Sequence, residues 1–334
     1  MVEVQIIGNG IAALSIAQLL SQSGIAASVQ SGRSKRQRSV LLSSQTIQLL
    51  STIHRTDRFA RLGWPIQRRS VLWGDADGPV TVEHHGISIP ELLLVDELRS
   101  QLPATLTGES DRASSAWVIE TQLRDSEAVI CYGKRRAIFH RAKLRTSADA
   151  HCCFAESTAA GWLFLLPTSF TEALVICCGY HPDEVLRESR LIALQVEDAS
   201  ANLEPVSIAP AIASELCTSQ LIRAGSAALQ FDPLCGEGVG HAAREAYLAT
   251  AVVRAVGRGE PVQELVTHYS TRLQQAFLRH LLVCRSFYAV HQDSAFWRSE
   301  LTYLEAGIAA LQTETIHIPV GFRFEDLDLK PVIA

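Results

Sequence analysis

The chain has 334 residues, 47% hydrophobic and 19% charged, enough to bury one large core or two interleaved ones. A formal net charge of −5 leaves no electrostatic footprint for nucleic acid, and the one basic run, GRSKRQR at 32–38, reads as a solvated loop. No stretch approaches the ~20 apolar residues of a membrane span and no leader-like segment precedes the first strand, so a soluble, cytoplasmic protein without membrane partners is expected.

Val2 to Ile7 reads as a strand. Gly8-Asn9-Gly10-Ile11-Ala12-Ala13 follows it as G-x-G-x-x-A and opens a helix whose apolar side carries Ile11, Leu14, Ile16, Ala17, Leu19 and Leu20. Gly24 ends that helix and IAASVQ is a second strand, giving a βαβ unit of ~30 residues. Gly8 permits a sharp turn, Gly10 lets backbone approach a pyrophosphate, and small Ala13 lets helix pack on strand. The bland alternative is a plain strand-to-helix turn. A dinucleotide site usually carries an acidic residue where this second strand ends, and the chain has Gln30-Ser31. The Gln30 amide oxygen still accepts from a ribose hydroxyl, as a neutral and weaker acceptor.

The pattern predicts helix over 39–63 and two strands over 70–89 joined at Asp77-Gly78-Pro79. A helix is predicted over 91–102, with short strands in SAWVIETQLRD and AVICYGKRRAIFH and a hairpin over 161–180. Helices are predicted at 237–257, 261–289 and 294–311. Strand–helix–strand first, strands in the middle and helices last imply an α/β fold. A Rossmann-like dinucleotide-binding domain (1–69, 90–135 and 217–260) is interrupted by a β-rich second domain (70–89 and 136–216). A helical C-terminal region (261–334) follows. Eight cysteines show no C-x-x-C pair and no zinc spacing, so no metal site is expected; Cys152-Cys153 and Cys177-Cys178 read as small buried side chains.

The stretch AGSAALQFDPLCGEGVGHAAREAYLATAVV brings Gly236, Gly238 and Gly240 into the start of a strong helix. A glycine turn at a helix N-terminus suits an anionic or electron-rich ligand. The motif resembles the late FAD motif of flavoprotein hydroxylases of the para-hydroxybenzoate hydroxylase fold. More narrowly, DPLCGEGVGHAAREA is similar to flavin-dependent halogenases and to the tailoring monooxygenases of quinone-cofactor biogenesis. The likeness is strong at 1–31 and 221–256 and weaker at 128–136, 161–167 and 294–301.

The resemblance implies FAD, with its pyrophosphate at Gly8, Gly10, Ile11, Ala12 and Ala13 and further contacts from Gln30, Ser31 and Arg38. It places the flavin ring at Asp232, Pro233, Gly236, Gly238, Val239 and Gly240, and the ribityl chain at Ser226, where the family carries Asp. Residue by residue, Asp232 also reads as the cap of a turn set by Pro233, Glu237 as a first-turn helix residue or a base, and Cys235 as filler or a reactive thiol. The family's G-E motif near residue 40 is replaced by Ser39-Val40. W-x-F-x-L-P at 162–167 resembles the halogenases' W-x-W-x-I-P, with Phe164 at the second Trp, and no counterpart of their catalytic lysine is found, which disfavours halogenation.

The implied activity is FAD-dependent monooxygenation of an aromatic or peptide-bound side chain through a flavin peroxide. The electron donor is NAD(P)H or a separate reductase, since no second nucleotide motif is present. Two alternatives stand beside it: a degenerate flavoprotein acting as a non-enzymatic binding or maturation factor, and a flavin dehydrogenase or oxidase. No catalytic residue is singled out.

Overall fold

Strand β1 (Val4–Ile7) passes through the Gly8 turn into helix α1 (Ile11–Gln22), and β2 (Ala27–Gln30) returns beside it. Next come β3 (Ser39–Ser43), α2 (Ser44–His54), β4 (Trp64–Leu72), β5 (Val80–Pro90) and α3 (Glu91–Ser100). They are followed by β6 (Trp117–Glu120), β7 (Val129–Cys131), β8 (Arg136–Leu144), β9 (Cys152–Thr158), β10 (Gly161–Pro167), β11 (Glu172–Gly179) and α4 (Pro182–Arg187). Short strands β12 (Val196–Ala201), β13 (Val206–Ser207), β14 (Ala211–Ala213), β15 (Leu221–Arg223) and β16 (Leu229–Gln230) lead to the helical part. That part comprises α5 (Gly238–Gly257), α6 (Val262–Tyr288) and α7 (Ala295–Thr315), with a closing hairpin of β17 (Phe322–Glu325) and β18 (Asp328–Pro331). The computed structural model describes residues 2–30, 38–103, 117–122, 128–201, 204–315, 321–325 and 328–332. Ser31 and most of the basic run lie outside the described residues.

The expected α/β architecture is present. β15, β6, β1 and β2 form a parallel sheet in that order, with Ile7 opposite both Gln30 and Glu120. Parallel strands are covered on both faces, which is why VQII of β1 is apolar apart from one residue. α1 was expected to bury one side, yet nearly all of it is enclosed, from Ile11 to Leu20, because α2, α3 and α5 also pack on it. A second, larger sheet runs β12-β8-β11-β10-β9-β4-β5-β3, with β13 also on β8. β10 lies within it and is buried on both faces except at Phe164.

Two expectations need correction. The segment 39–63 is not one helix: SVLLS forms β3, pairing antiparallel with β5, and α2 starts only at Ser44. A short apolar run fits a strand or a helix by periodicity alone. Here Ser43 decides, its Oγ accepting the Thr46 N–H as an N-cap. The predicted domain edge at residue 70 falls inside β4, and β3 also joins the large sheet, so that sheet takes in more of the early chain than expected. The cysteine pairs are buried, and each splits across the large sheet: Cys153 and Cys178 face the main core, Cys152 and Cys177 a smaller one.

Candidate functional site

The first glycine loop leaves the carboxyl end of β1, at the end of the parallel sheet where such folds open a crevice. Gly8 has φ +131°, and a Cβ there would lie 2.1 Å from Thr121 Oγ1, so only glycine fits. Thr121 follows β6, and its hydroxyl donates to the Ile7 carbonyl at 3.0 Å, holding that approach. Gly10 is the N-cap of α1, with no side-chain cap and no acidic residue in the first turn. A Cβ on Gly10 would meet nothing within 4 Å. The helix therefore presents unsatisfied N–H groups and its positive end to open space. Ile11, Ala12 and Ala13 are buried behind it.

Gln30 ends β2 half-buried, beside Gly8, whose N–H donates to the Gln30 carbonyl at 3.1 Å. Arg38 is held by Glu91, the first residue of α3, with Nε 2.7 Å from Oε2. Its charge is thus shared with a carboxylate before any ligand arrives.

Gly225 and Ser226 bring the two glycine loops into one structure. Gly225 has φ +59°, and a Cβ on it would lie 2.8 Å from the Ala12 Cβ. Its N–H donates to Glu245 Oε2 on α5 at 2.6 Å. Ser226 donates its hydroxyl to the Thr121 carbonyl at 3.2 Å and is exposed. The start of α1, Thr121 and the second turn of α5 therefore meet at Gly225. Glu245 was not singled out in the sequence; the available signal was one carboxylate among Ala243, Ala246 and Ala249 on a buried helix face. Burial pushes its pKa up to about 8, against the opposing pull of the Gly225 N–H.

The second loop is a 3-10 turn, Pro233–Cys235, closed by Gly236 at φ +67° and followed by α5. Glu237 occupies the N-cap of α5 without a side-chain cap, its carboxylate lying 3.3 Å from Arg244 instead. The first turn carries no acid; a Cβ on Gly238 would meet open space, and Val239 is buried. Gly240 has room for little more than hydrogen, since a Cβ would lie 2.9 Å from Thr46 Oγ1.

Asp232 caps this turn from beneath, as its turn-capping reading has it. Oδ1 accepts from Leu234 N–H at 2.9 Å, and Oδ2 meets Arg135 Nε at 2.7 Å and the Tyr288 hydroxyl at 2.9 Å. The side chain is fully enclosed. His241 stacks on Phe231 with ring centroids 3.9 Å apart, and burial, then Arg244, lowers its pKa to about 4. Trp162 donates to the Tyr288 hydroxyl at 2.7 Å and Trp297 to the Thr158 carbonyl at 2.8 Å, both fully buried, so neither lines an entrance.

Across from the loop stands Arg69 on β4, its Nη2 3.8 Å from where a Gly236 Cβ would sit. Among the described residues no carboxylate pairs with it, and its Nε is buried without a partner. His84 on β5 has a buried Nε2 in the same condition, and burial, followed by Arg69, lowers its pKa. An unsatisfied Arg69 Nε beside a glycine loop, with a second unsatisfied group on His84 near Arg69, marks a place for a polar ligand. Sequence alone did not pick them out, because the approach of Arg69 to Gly236 joins a strand of the large sheet to a loop more than 160 residues on.

No family model and no curated protein matches the chain. Solved structures do. A peptidyl tryptophan dihydroxylase, QhpG, essential for tryptophylquinone cofactor biogenesis, aligns with TM-score 0.77 and 18% identity over 98% of this chain and 86% of its own. The flavin-dependent halogenase CmlS aligns with TM-score 0.73 and 18% identity over 89% of this chain and 67% of its own. A Klebsiella pneumoniae HpxO variant complexed with FAD aligns with TM-score 0.64 and 16% identity over 94% of this chain and 95% of its own. The fold is that of the FAD-dependent monooxygenases and halogenases, as the two glycine motifs implied.

Proposed function

We propose that the chain is an FAD-dependent monooxygenase-like oxidoreductase. The observation that carries this reading is a pair of helix N-termini, on α1 and α5, each free of acid in its first turn and uncapped by side chains. Each opens through a glycine turn, and Gly225 ties the two together. One long cofactor with an anionic middle and an electron-rich ring matches that arrangement. The space at Gly10 and Gly238 and the orphaned Arg69 Nε fit the group.

Gly8 to Ala13 would hold the pyrophosphate, Gln30 a ribose hydroxyl, and Gly236 to Gly240 the ring. Arg69 and His84 would add polar contacts on the ring side, with Arg69 bringing positive charge. FAD, when bound, supplies the redox chemistry and the activation of oxygen. The chain's own part is to orient the cofactor, exclude water and steady charge at its polar edge. An aromatic or peptide-borne side chain is the proposed substrate, in keeping with the peptidyl tryptophan that QhpG is named for. NAD(P)H or a separate reductase would supply electrons.

The experiment is an absorbance spectrum of the purified protein with and without added FAD. It is followed by NAD(P)H-driven oxygen uptake and a product mass raised by one oxygen. Colourless protein that takes up no FAD rejects the proposal. A product oxidised without added oxygen would move the reading to a dehydrogenase or oxidase. A second reading, a cofactor-free binding or maturation factor, is favoured by one observation: Gln30 and Ser226 stand where carboxylates would grip hydroxyls, and the Ser226 hydroxyl is already bonded to Thr121.

A further inference from the structure

Beneath the second glycine loop, Cys235 and Cys284 bring their sulfurs within 3.7 Å of each other. Both are free thiols, Cys235 half-buried at the end of the 3-10 turn and Cys284 enclosed on α6. His280, one turn earlier on α6, places Nε2 3.3 Å from Cys284 Sγ. The three donor atoms lie within 4.8 Å of one another.

Such a cluster suits either a thiophilic metal ion or a dithiol–disulfide couple. The metal reading requires the lone pair of His280 Nε2. That lone pair accepts the Asp232 N–H at 2.9 Å, and Asp232 is itself held by Arg135 and Tyr288. Coordination would strip a buried backbone donor of its partner. It would also bring a cation towards Arg135, whose charge, after burial, already helps lower the His280 pKa to about 3. The two sulfurs face no such conflict, since each needs only the other.

We propose that Cys235 and Cys284 are a redox-active dithiol that hydrogen peroxide closes to an internal disulfide and a dithiol reductant reopens. A disulfide has a sulfur–sulfur bond of about 2.05 Å, so closure needs an approach of under ~2 Å. Gly236, directly after Cys235 and left-handed at φ +67°, gives the loop a place to turn. Half-buried Cys235 meets the oxidant. Its thiolate attacks one peroxide oxygen, the O–O bond breaks, and the departing hydroxide takes up the proton the thiol had lost and leaves as water, with a sulfenic acid on Cys235. Cys284 sulfur then attacks Cys235 sulfur. The S–O bond breaks, and hydroxide departs with the Cys284 proton as a second water. The two thiols thereby give two electrons to one peroxide. Cys284 takes the second role because its enclosure keeps it from the oxidant and its sulfur already lies beside Cys235; its proton passes to the departing hydroxide as its sulfur attacks.

The closed form would shift the turn that leads into Gly236 to Gly240. That consequence rests on the flavin reading, whereas the cross-link does not. The test uses a Cys131→Ser background, since Cys131 is exposed and eight cysteines less this one leave seven. Protein treated with hydrogen peroxide is alkylated after unfolding and mapped by mass. The expected result is the loss of two hydrogens and of two alkylatable thiols, with the Cys235 and Cys284 peptides joined. Cys235→Ser and Cys284→Ser should each abolish the link, and dithiothreitol should restore the thiols. Survival of all seven thiols would overturn the proposal, as would a link through Cys152–Cys153 or Cys177–Cys178. Stoichiometric zinc that is lost in Cys284→Ser would overturn it in favour of the metal reading. FAD titration of reduced and oxidised protein gives the second readout. Differing affinities support the coupling to the loop, and equal affinities remove it. Reduced protein that binds no FAD counts against the flavin reading, while the cross-link map still judges the dithiol.

Discussion

Arg135 Nε lies 2.7 Å from Asp232 Oδ2, with both side chains fully enclosed. Its Nη1 lies 2.6 Å from Glu300 Oε2 on α7, and the Tyr288 ring sits 4.3 Å from the guanidinium carbon. One planar cation thus joins the second glycine loop, the start of β8 and the two long C-terminal helices. The loop's position is set from below, by charge, rather than by its glycines alone.

Arg135→Met should destabilise the protein by about 3–5 kcal/mol, because two buried carboxylates lose their partner. Arg135→Lys should not rescue it, since an ammonium cannot span both carboxylates in the plane that guanidinium does. Urea unfolding measures this. A loss below ~1 kcal/mol would show that the network contributes little.

Glu245 predicts a pH dependence. Its folded pKa is about 8 against an ordinary 4.5, raised by burial. Between those values the folded state keeps a proton that the unfolded chain has lost. Its stabilising contribution is therefore complete below about pH 4.5 and falls as pH rises to about 8, by up to ~1.4 kcal/mol per unit. Glu245→Gln keeps an acceptor for the Gly225 N–H and should flatten that slope, leaving the variant the more stable at pH 8. Urea midpoints across pH 5–8, with slopes unchanged between the two proteins, would refute the assignment.

Gly8 and Gly10 should separate folding from binding. Gly8→Ala puts a Cβ against Thr121 at positive φ and should cost about 1–3 kcal/mol. Gly10→Val places its side chain in open space. It should leave the melting temperature close to that of the parent yet weaken FAD binding ~10-fold or more, about 1.4 kcal/mol. Equal FAD affinity in Gly10→Val would remove the pyrophosphate from this loop.

Restoring the missing carboxylates should tighten the cofactor. Charged acceptors contribute roughly 1.5–3 kcal/mol per hydrogen bond against about 1 for neutral ones. Gln30→Glu with Ser226→Asp should therefore improve FAD affinity by about tenfold or more. Ser226 is exposed, so the longer side chain meets no buried neighbour to displace. Isothermal titration decides it; a double variant no tighter than the parent shows that these positions do not touch FAD hydroxyls.

The βαβ opening, the 70–89 hairpin and the three long helices were legible because each depends on a local period or a local turn. β3 was not: five residues of SVLLS carry no period that separates strand from helix, and β5, some forty residues on, supplies the pairing. The near-complete burial of α1 also escaped the sequence, since its second covered side depends on helices contributed from elsewhere in the chain.

The sequence by itself determined where the backbone must turn sharply and where helices begin, because glycine, proline and apolar spacing act on near neighbours. That is why Gly8 to Ala13 and Gly236 to Gly240 stood out as two glycine loops opening helices, which the family likeness joined as two ends of one site. Only the tertiary structure decided what stands under and opposite them. Arg135 reaches Asp232 across 97 residues, Glu245 reaches Gly225 across 20, and Cys284 reaches Cys235 across 49. Such pairings have no local signature. Desolvation selects them, since a buried charge or donor is tolerated only where the folded chain happens to bring its partner.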